Sequence, residues 1–404
     1  MRINWKLSGP ATVLVLAILT FVQSAGNPDT MPGHLVVPGL AGPYHFNDPL
    51  VSMEWTNRVA TNIAWPKRLI QVLPSPELSE RTAEAGILAS RAFRAGGKSE
   101  PVAAPEGPPV MWRDPVDIET RDLYYGPGGK AHQPNGSFRF LNEDVAGSSP
   151  KFEIVGEDGI KWKAKLGLEA RPETVASRLL WAVGYFANEN YFVPILHVEN
   201  MPHLHRGNKD VSRDGTVHKV RLKRHLKELE KMGDWSWQNC PFAGTREWYG
   251  LRVLMAVMNN WDLKDVNNSV YQVRGSHPEQ HYVVSDLGAS FGTTGLNPGA
   301  KGNLHEYSRS KWINGVSAGF VDFNVPSSPG LGYIFDTPEM VRRLGLMWLG
   351  RHIPVSDARW LGSLLARLSP EQIRDAFRAG GYSPAEVEEF ARVVERRIQE
   401  LNRL

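Results

Sequence analysis

From Ser137 onward, apolar positions alternate with polar ones over short stretches bounded by turn residues, the spacing of half-buried strands. Three strands are predicted: Ser137 to Asp144, Lys151 to Val155, and Ile160 to Leu166. "GEDG" forms a hairpin turn between the second and third. The period then lengthens. In "RPETVASRLLWAVGY", Val175, Leu179, Leu180 and Val183 make an apolar stripe at helical intervals, Pro172 suits the first turn, and Glu173 lies near the positive helix end. "NYFVPILHV" reads as extended, and the basic "HKVRLKRHLKELEKMG" as a charged surface helix. A second apolar helix, "REWYGLRVLMAVMNN", leads into "WDLKDVNN", after which "SVYQVRG" and "EQHYVVSDLG" form a hairpin joined by "GSHP". Beyond a Gly-rich loop from Gly288 to Gly302, the chain from Pro338 is mostly helical. "SPEQIRDAFRAGG" and "SPAEVEEFARVVERRIQEL" each open on a Ser-Pro start signal with an acidic first turn. The pattern predicts an α+β protein, a small β-rich half followed by a larger helical half.

Ahead of these elements the patterning differs. Arg2 and Lys6 precede an apolar run from Ala11 to Val22 and the small residues Ser24, Ala25 and Gly26, which is the pattern of a secretory signal. The run is shorter than the ~20 residues that span a bilayer, so an uncleaved anchor is the second reading. Either way the remainder is expected outside the cytoplasm, periplasmic or membrane-anchored. From residue 27 to about 115 the chain is rich in Pro, Gly and Ala and reads as an irregular extension. The β-rich half is then expected over 116–200 and the helical half over 201–404.

Composition narrows the function. A chain of 404 residues with 42% hydrophobic content buries a substantial core. Its 46 basic and 43 acidic side chains leave a net charge of +3, too balanced to point to nucleic acid. Cys240 stands alone, which excludes an intramolecular disulfide and a cysteine zinc site.

The candidate chemistry is phosphoryl transfer, which needs a cradle for phosphates, a nearby cation, metal ligands and a group that orients the attacking hydroxyl. "AGSSP", with Gly147, Ser148 and Ser149, offers a glycine, small hydroxyls and backbone N–H groups that approach an anion closely. Lys165 projects from the third strand, and Glu173 on the next helix can hold it. Lys161, Lys163 and Lys165 share a strand face, but Lys165 lies nearest the strand end and Glu173. Asp262 can orient a hydroxyl, Lys264 can neutralise transferred charge, and Asn267 with Asp286 can hold magnesium through oxygen. Asn268 competes with Asn267 for that role.

"WDLKDVNN" and "SDLG" resemble the catalytic loop and metal-binding motif of the protein-kinase-like superfamily, over roughly Ser137 to Gly292. The resemblance implies a two-lobed kinase-like fold, ATP and Mg2+ as cofactors, and a catalytic aspartate five residues before a metal-binding asparagine, matching Asp262 and Asn267. The later Asp-x-Gly matches Asp286 and Gly288. Tryptophan replaces arginine before Asp262, leucine replaces phenylalanine after Asp286, "AGSSP" has one glycine, and no Ala-Pro-Glu closes the segment. These departures make the chain more similar to atypical members, such as HipA-type kinases, type II phosphatidylinositol 4-kinases and spore-coat CotH kinases, without selecting one. The acceptor, protein, lipid or small molecule, is left open. Two other classes compete: a non-catalytic extracytoplasmic binding or scaffold protein on the same fold, and a nucleotidyl transferase.

Four further features have more ordinary readings. His197, His203 and His205, with His218 or His225, offer a zinc set, but scattered surface histidines are the usual meaning. The basic run from Lys219 to Lys231 reads as a solvated helix, with an anionic headgroup or acidic peptide as the sharper alternative. "YYGPGG" lacks the helix and Lys-Ser or Lys-Thr pair of a phosphate loop and reads as a turn. The tryptophans read as core, with Trp261 beneath the catalytic loop.

Overall fold

The computed structural model describes residues 106–146, 149–260, 262–292, 301–324 and 345–404. The N-terminal segment and most of the extension, Gly147, Ser148, Trp261 and part of the Gly-rich loop lie outside them.

Five strands close into a barrel: β2 (Phe138–Glu143), β3 (Lys151–Gly156), β4 (Lys161–Lys165), β5 (Asn190–Glu199) and β6 (Thr216–Arg224). The order is β2-β3-β4-β6-β5, and closure comes from a short parallel contact that sets Phe138 opposite Val198. Alternation decides what lies inside. Phe152, Ile154, Trp162, Ala164, Val217, Val220 and Leu222 are buried in one apolar core, so Lys161, Lys163 and Lys165 fall on the outer face of β4.

Helix α1 (Ala170–Ala182) packs on β5 and β6 with one side and on α5 (Pro370–Ala379) with another. It is buried nearly all round, which is why Val175, Ala176, Leu179 and Leu180 belong to the core of the second half. That second half contains a sheet, β1-β9-β8-β7, built from β1 (Pro109–Val110), β7 (Leu229–Gly233), β8 (Asn268–Val273) and β9 (Glu279–Val284). Around it stand α2 (Arg246–Val257), α3 (Leu304–Arg309), α4 (Val355–Leu365), α5 and α6 (Pro384–Asn402), with a small sheet of β10 (Ile313–Ser317), β11 (Phe320–Phe323) and β12 (Ile353–Pro354). Both Ser-Pro starts form capping boxes, Ser369 with Gln372 and Ser383 with Glu386. The expected α+β, two-part architecture is what the chain adopts.

Three expectations need correction. The basic segment from 219 to 231 is not a surface helix: its first part is β6 and its last β7, with a turn between. Val217, Val220 and Leu222 are needed to fill the barrel, and that burial overrides the helical propensity of the Lys/Glu-rich run. Because β6 completes the barrel, the first half extends beyond residue 200. Pro109–Val110 falls within the expected irregular extension, yet it pairs with β9 in the second-half sheet.

"YYGPGG" proves to be a strap across the back of α1 and β5. Gly126 has a φ of 74°, and a Cβ there would meet the Arg178 guanidinium at 2.2 Å. Tyr191 donates to the Gly129 carbonyl at 3.0 Å. Gly126→Ala combines left-handed strain with overpacking, so we expect it to destabilise the fold by about 2–4 kcal/mol, read as a lowered urea midpoint. An unchanged midpoint would show that the strap is not under tension from Arg178.

Candidate functional site

The site lies where the end of β4, the start of α1 and the segment after β9 meet. Lys165 is on the outward face at the end of β4, and its side chain is only 5% exposed. Its Nζ lies 3.0 Å from Glu173 Oε2 on α1 and 3.0 Å from Asp286 Oδ1 beyond β9. A third carboxylate, Glu169, reaches it at 2.6 Å from the residue that precedes α1. Two carboxylates from the turn next in sequence and one from 121 residues further along the chain therefore converge on one ammonium. Lys163, the competing lysine of the same face, is instead paired with Asp144 at 2.6 Å.

The charges are arranged to remain charged. Burial opposes the ammonium of Lys165, but Glu173, Asp286 and Glu169 outweigh it and hold its pKa above the ordinary lysine range. Burial likewise raises the carboxyls of Asp286 and Glu169, and the attraction of Lys165 overcomes it, so both titrate below the usual range. Glu173 has a second partner in Arg221 of β6 at 2.9 Å, and Glu169 has one in Lys301.

"WDLKDVNN" forms the connection between α2 and β8. Asn267 Nδ2 donates to the backbone carbonyl of Asp262 at 2.6 Å, which draws the five-residue interval into a tight loop. The Asn267 carbonyl in turn accepts from the N–H groups of Ser285 and Asp286 at 2.8 and 3.0 Å, so the loop and the Asp-Leu-Gly segment are joined through main chain. Lys264 Nζ lies 2.9 Å from Asp262 Oδ1, and both side chains are about a quarter exposed, at 26% and 25%. Asp265, on the same loop, accepts from Trp237 N through its Oδ1 at 3.2 Å. Asn268 is fully buried and donates to the Trp235 carbonyl, so it supports the turn from below.

Asp-Leu-Gly is explained residue by residue. Gly288 N donates to Asp286 Oδ1 at 3.2 Å and fixes the carboxylate. Leu287 is buried in the second-half core, filling the position that phenylalanine occupies in the resembled motif. Gly288 is required for close approach, since a Cβ there would meet Glu169 Cβ at 2.6 Å.

These donors suit magnesium. The Nδ2 of Asn267 is committed to backbone, which turns its Oδ1 the other way, and the Asp286 side chain is 40% exposed. Hard oxygen from one carboxylate and one amide leaves room for phosphate and water, the ligand set magnesium favours. By contrast, no group of three or more His, Cys, Asp or Glu among the described residues is placed to hold a metal, which removes the histidine zinc set. His205 is instead paired with Glu143 at 2.8 Å.

Of the expected site residues, Lys165, Glu173 and Asp286 are in direct contact, while Asp262, Lys264 and Asn267 form the adjoining loop. Gly147 and Ser148 lie outside the described residues. Ser149 is described, and its hydroxyl donates to Glu169 Oε2 at 2.9 Å. Reading the sequence did not identify Glu169, Arg221 or Lys301. Glu169 stands four residues before Glu173, one helical turn away, and that spacing was the available signal.

No protein-family model matches the chain, and no curated protein does either. Among solved structures, the chain is similar to the Helicobacter pylori proinflammatory kinase CtkA, with 10% identity and a TM-score of 0.34, over 66% of this chain and 96% of that one. It is also similar to a Golgi casein kinase, with 12% identity and a TM-score of 0.29, over 91% of this chain and 96% of that one. The same kinase with Mn/ADP bound gives 10% identity and a TM-score of 0.28, over 91% and 95%.

Proposed function

We propose that the protein is a magnesium-dependent, ATP-using phosphotransferase with a kinase-like site. The observation that carries this reading is the convergence of Lys165, Glu173 and Asp286 within 3.0 Å contacts, beside a loop in which Asp262 and Asn267 are tied together. A lysine held by a helix carboxylate and facing a metal-binding aspartate is the apparatus that phosphoryl transfer requires. Magnesium ATP, when bound, supplies the transferable phosphoryl group.

The chain's own groups divide the remaining work. Lys165 binds phosphate oxygens, and Glu173 with Arg221 behind it keeps that ammonium in place. Asn267 and Asp286 hold the metal. Asp262 orients the acceptor hydroxyl and takes its proton, and Lys264 at 2.9 Å limits the build-up of negative charge there. Ser149, with Gly147 and Ser148 beside it in sequence, covers the phosphates. The acceptor is a hydroxyl-bearing protein, lipid or small molecule. The signal-like N-terminus supports work outside the cytoplasm, with membrane association if the segment is retained.

Incubating the full chain with magnesium ATP tests this directly, by ADP release and by intact mass. Added phosphoryl supports the reading, whereas an added nucleotidyl group would assign the site to the other transferase class. Asp262→Ala removes the group that handles the hydroxyl proton and should lower the rate by about 10²–10⁴. It should leave nucleotide binding intact, because Asp262 has no contact with Lys165. An undiminished rate in a folded Asp262→Ala protein would refute the assigned role.

A further inference from the structure

Lys165 has more partners than it can keep. An ammonium carries three N–H donors. Glu169 Oε2 at 2.6 Å, Glu173 Oε2 at 3.0 Å and the Asp286 carboxylate at 3.0 and 3.1 Å take all three. No donor is left for a phosphate oxygen, so a nucleotide that uses Lys165 must displace one of these carboxylates.

The three are unequally free to leave. Glu173 is 2% exposed, and with Lys165 gone its charge would stay buried against Arg221 alone. Asp286 is fixed by Gly288 N and, in the proposed function, would be held by the metal. Glu169 differs in each respect. It stands at the edge of α1, its side chain is 12% exposed, its other oxygen already touches Lys301, and the Ser149 hydroxyl donates to it at 2.9 Å. It alone can release Lys165 and keep a cation and a hydroxyl donor.

We infer that Glu169 is an internal anion of the nucleotide site: it occupies the phosphate position on Lys165 in the ligand-free cleft and passes to Lys301 when phosphate arrives. Glu169 and Lys301 together then set nucleotide affinity, a role for two residues that make no part of the transfer step. Lys165, Arg221 and Lys301 balance Glu169, Glu173 and Asp286 in the free site, so removing the charge of Glu169 leaves the pocket one unit positive. This inference rests on the reading of the cleft as a nucleotide site.

The test is ATP affinity of the full chain, followed by thermal unfolding with and without magnesium, for wild type, Glu169→Gln and Lys301→Met. Glu169→Gln should bind ATP about ten-fold more tightly in both conditions, and Lys301→Met about ten-fold more weakly, because Glu169 then has only Lys165 to hold. A purely structural role for the ion pairs would weaken binding in both variants. If wild type binds and Glu169→Gln binds no tighter, the inference is overturned and Asp286 is the partner that yields. Binding by Glu169→Gln alone would support it in its strongest form, with the internal anion excluding ATP altogether. If neither binds, the nucleotide reading falls and this inference with it.

Discussion

Asp286→Ala is expected to abolish the magnesium-dependent stabilisation that ATP confers on the full chain. A ligand at about one hundred times its dissociation constant stabilises a protein by roughly 2.7 kcal/mol, which appears as a shift of several degrees in the unfolding midpoint. Asp286 supplies the one carboxylate in the site that is both partly exposed and aligned by a backbone N–H, so the metal has no substitute for it. The variant is not expected to lose ligand-free stability. Asp286 and Glu169 are like charges on the same ammonium, and removing one relieves their repulsion while Lys165 keeps Glu169 and Glu173. Thermal unfolding with and without magnesium reads both statements at once. A magnesium-dependent shift that survives in Asp286→Ala would place the metal elsewhere and undo the proposed site.

The parts of this site that can be read from sequence are those carried by local pattern. Alternation located β3 and β4, helical spacing located α1, and the five-residue interval located Asp262 and Asn267. What escaped was set by partners distant along the chain. Lys219 has a left-handed φ of 53°, which breaks the alternation of β6 just where Val217 and Val220 both turn into the barrel. Its period therefore blurs, and a run of Lys and Glu at helical intervals takes over the reading. The choice between Lys163 and Lys165 depends on Asp144, which claims Lys163, and that contact follows from strand register rather than from residue type. Likewise, Asn267 and Asn268 are adjacent and chemically alike. Only the partners of their amides tell them apart: Asn268 donates to the Trp235 carbonyl beneath the turn, and Asn267 to the Asp262 carbonyl within the loop.

A second buried cation follows the same logic, and its removal should have the largest effect on stability. Helix α6 buries Val387, Phe390, Ala391, Val394, Ile398 and Leu401, and Arg397 is buried among them with no exposure at all. An arginine on an apolar stripe is the sequence signal that something inside needs its donors. Its guanidinium donates to the carbonyls of Ala256, Val257 and Tyr307, to Asn259 Oδ1 at 3.0 Å and to Ser310 Oγ at 2.8 Å. Asn259, at a φ of 51°, then donates to the Gly292 carbonyl at 2.7 Å, so one side chain ties the end of α2 to the segment that follows Asp-Leu-Gly. Arg397→Met keeps much of the volume and removes every donor: Asn259 Oδ1 loses its partner, and the carbonyls of Ala256, Val257 and Tyr307 each fall back on their remaining bonds. We expect a loss of about 3–5 kcal/mol in urea unfolding. Arg397→Lys should recover part of it, since three rotatable donors cannot reproduce a planar fork that spans these acceptors. The loss should also loosen Asn259, three residues before Asp262, and so reduce the ATP-dependent shift beyond what lower stability alone predicts. A loss under about 1 kcal/mol would mean that water replaces the guanidinium, and the second half would then have a more hydrated centre than its packing indicates.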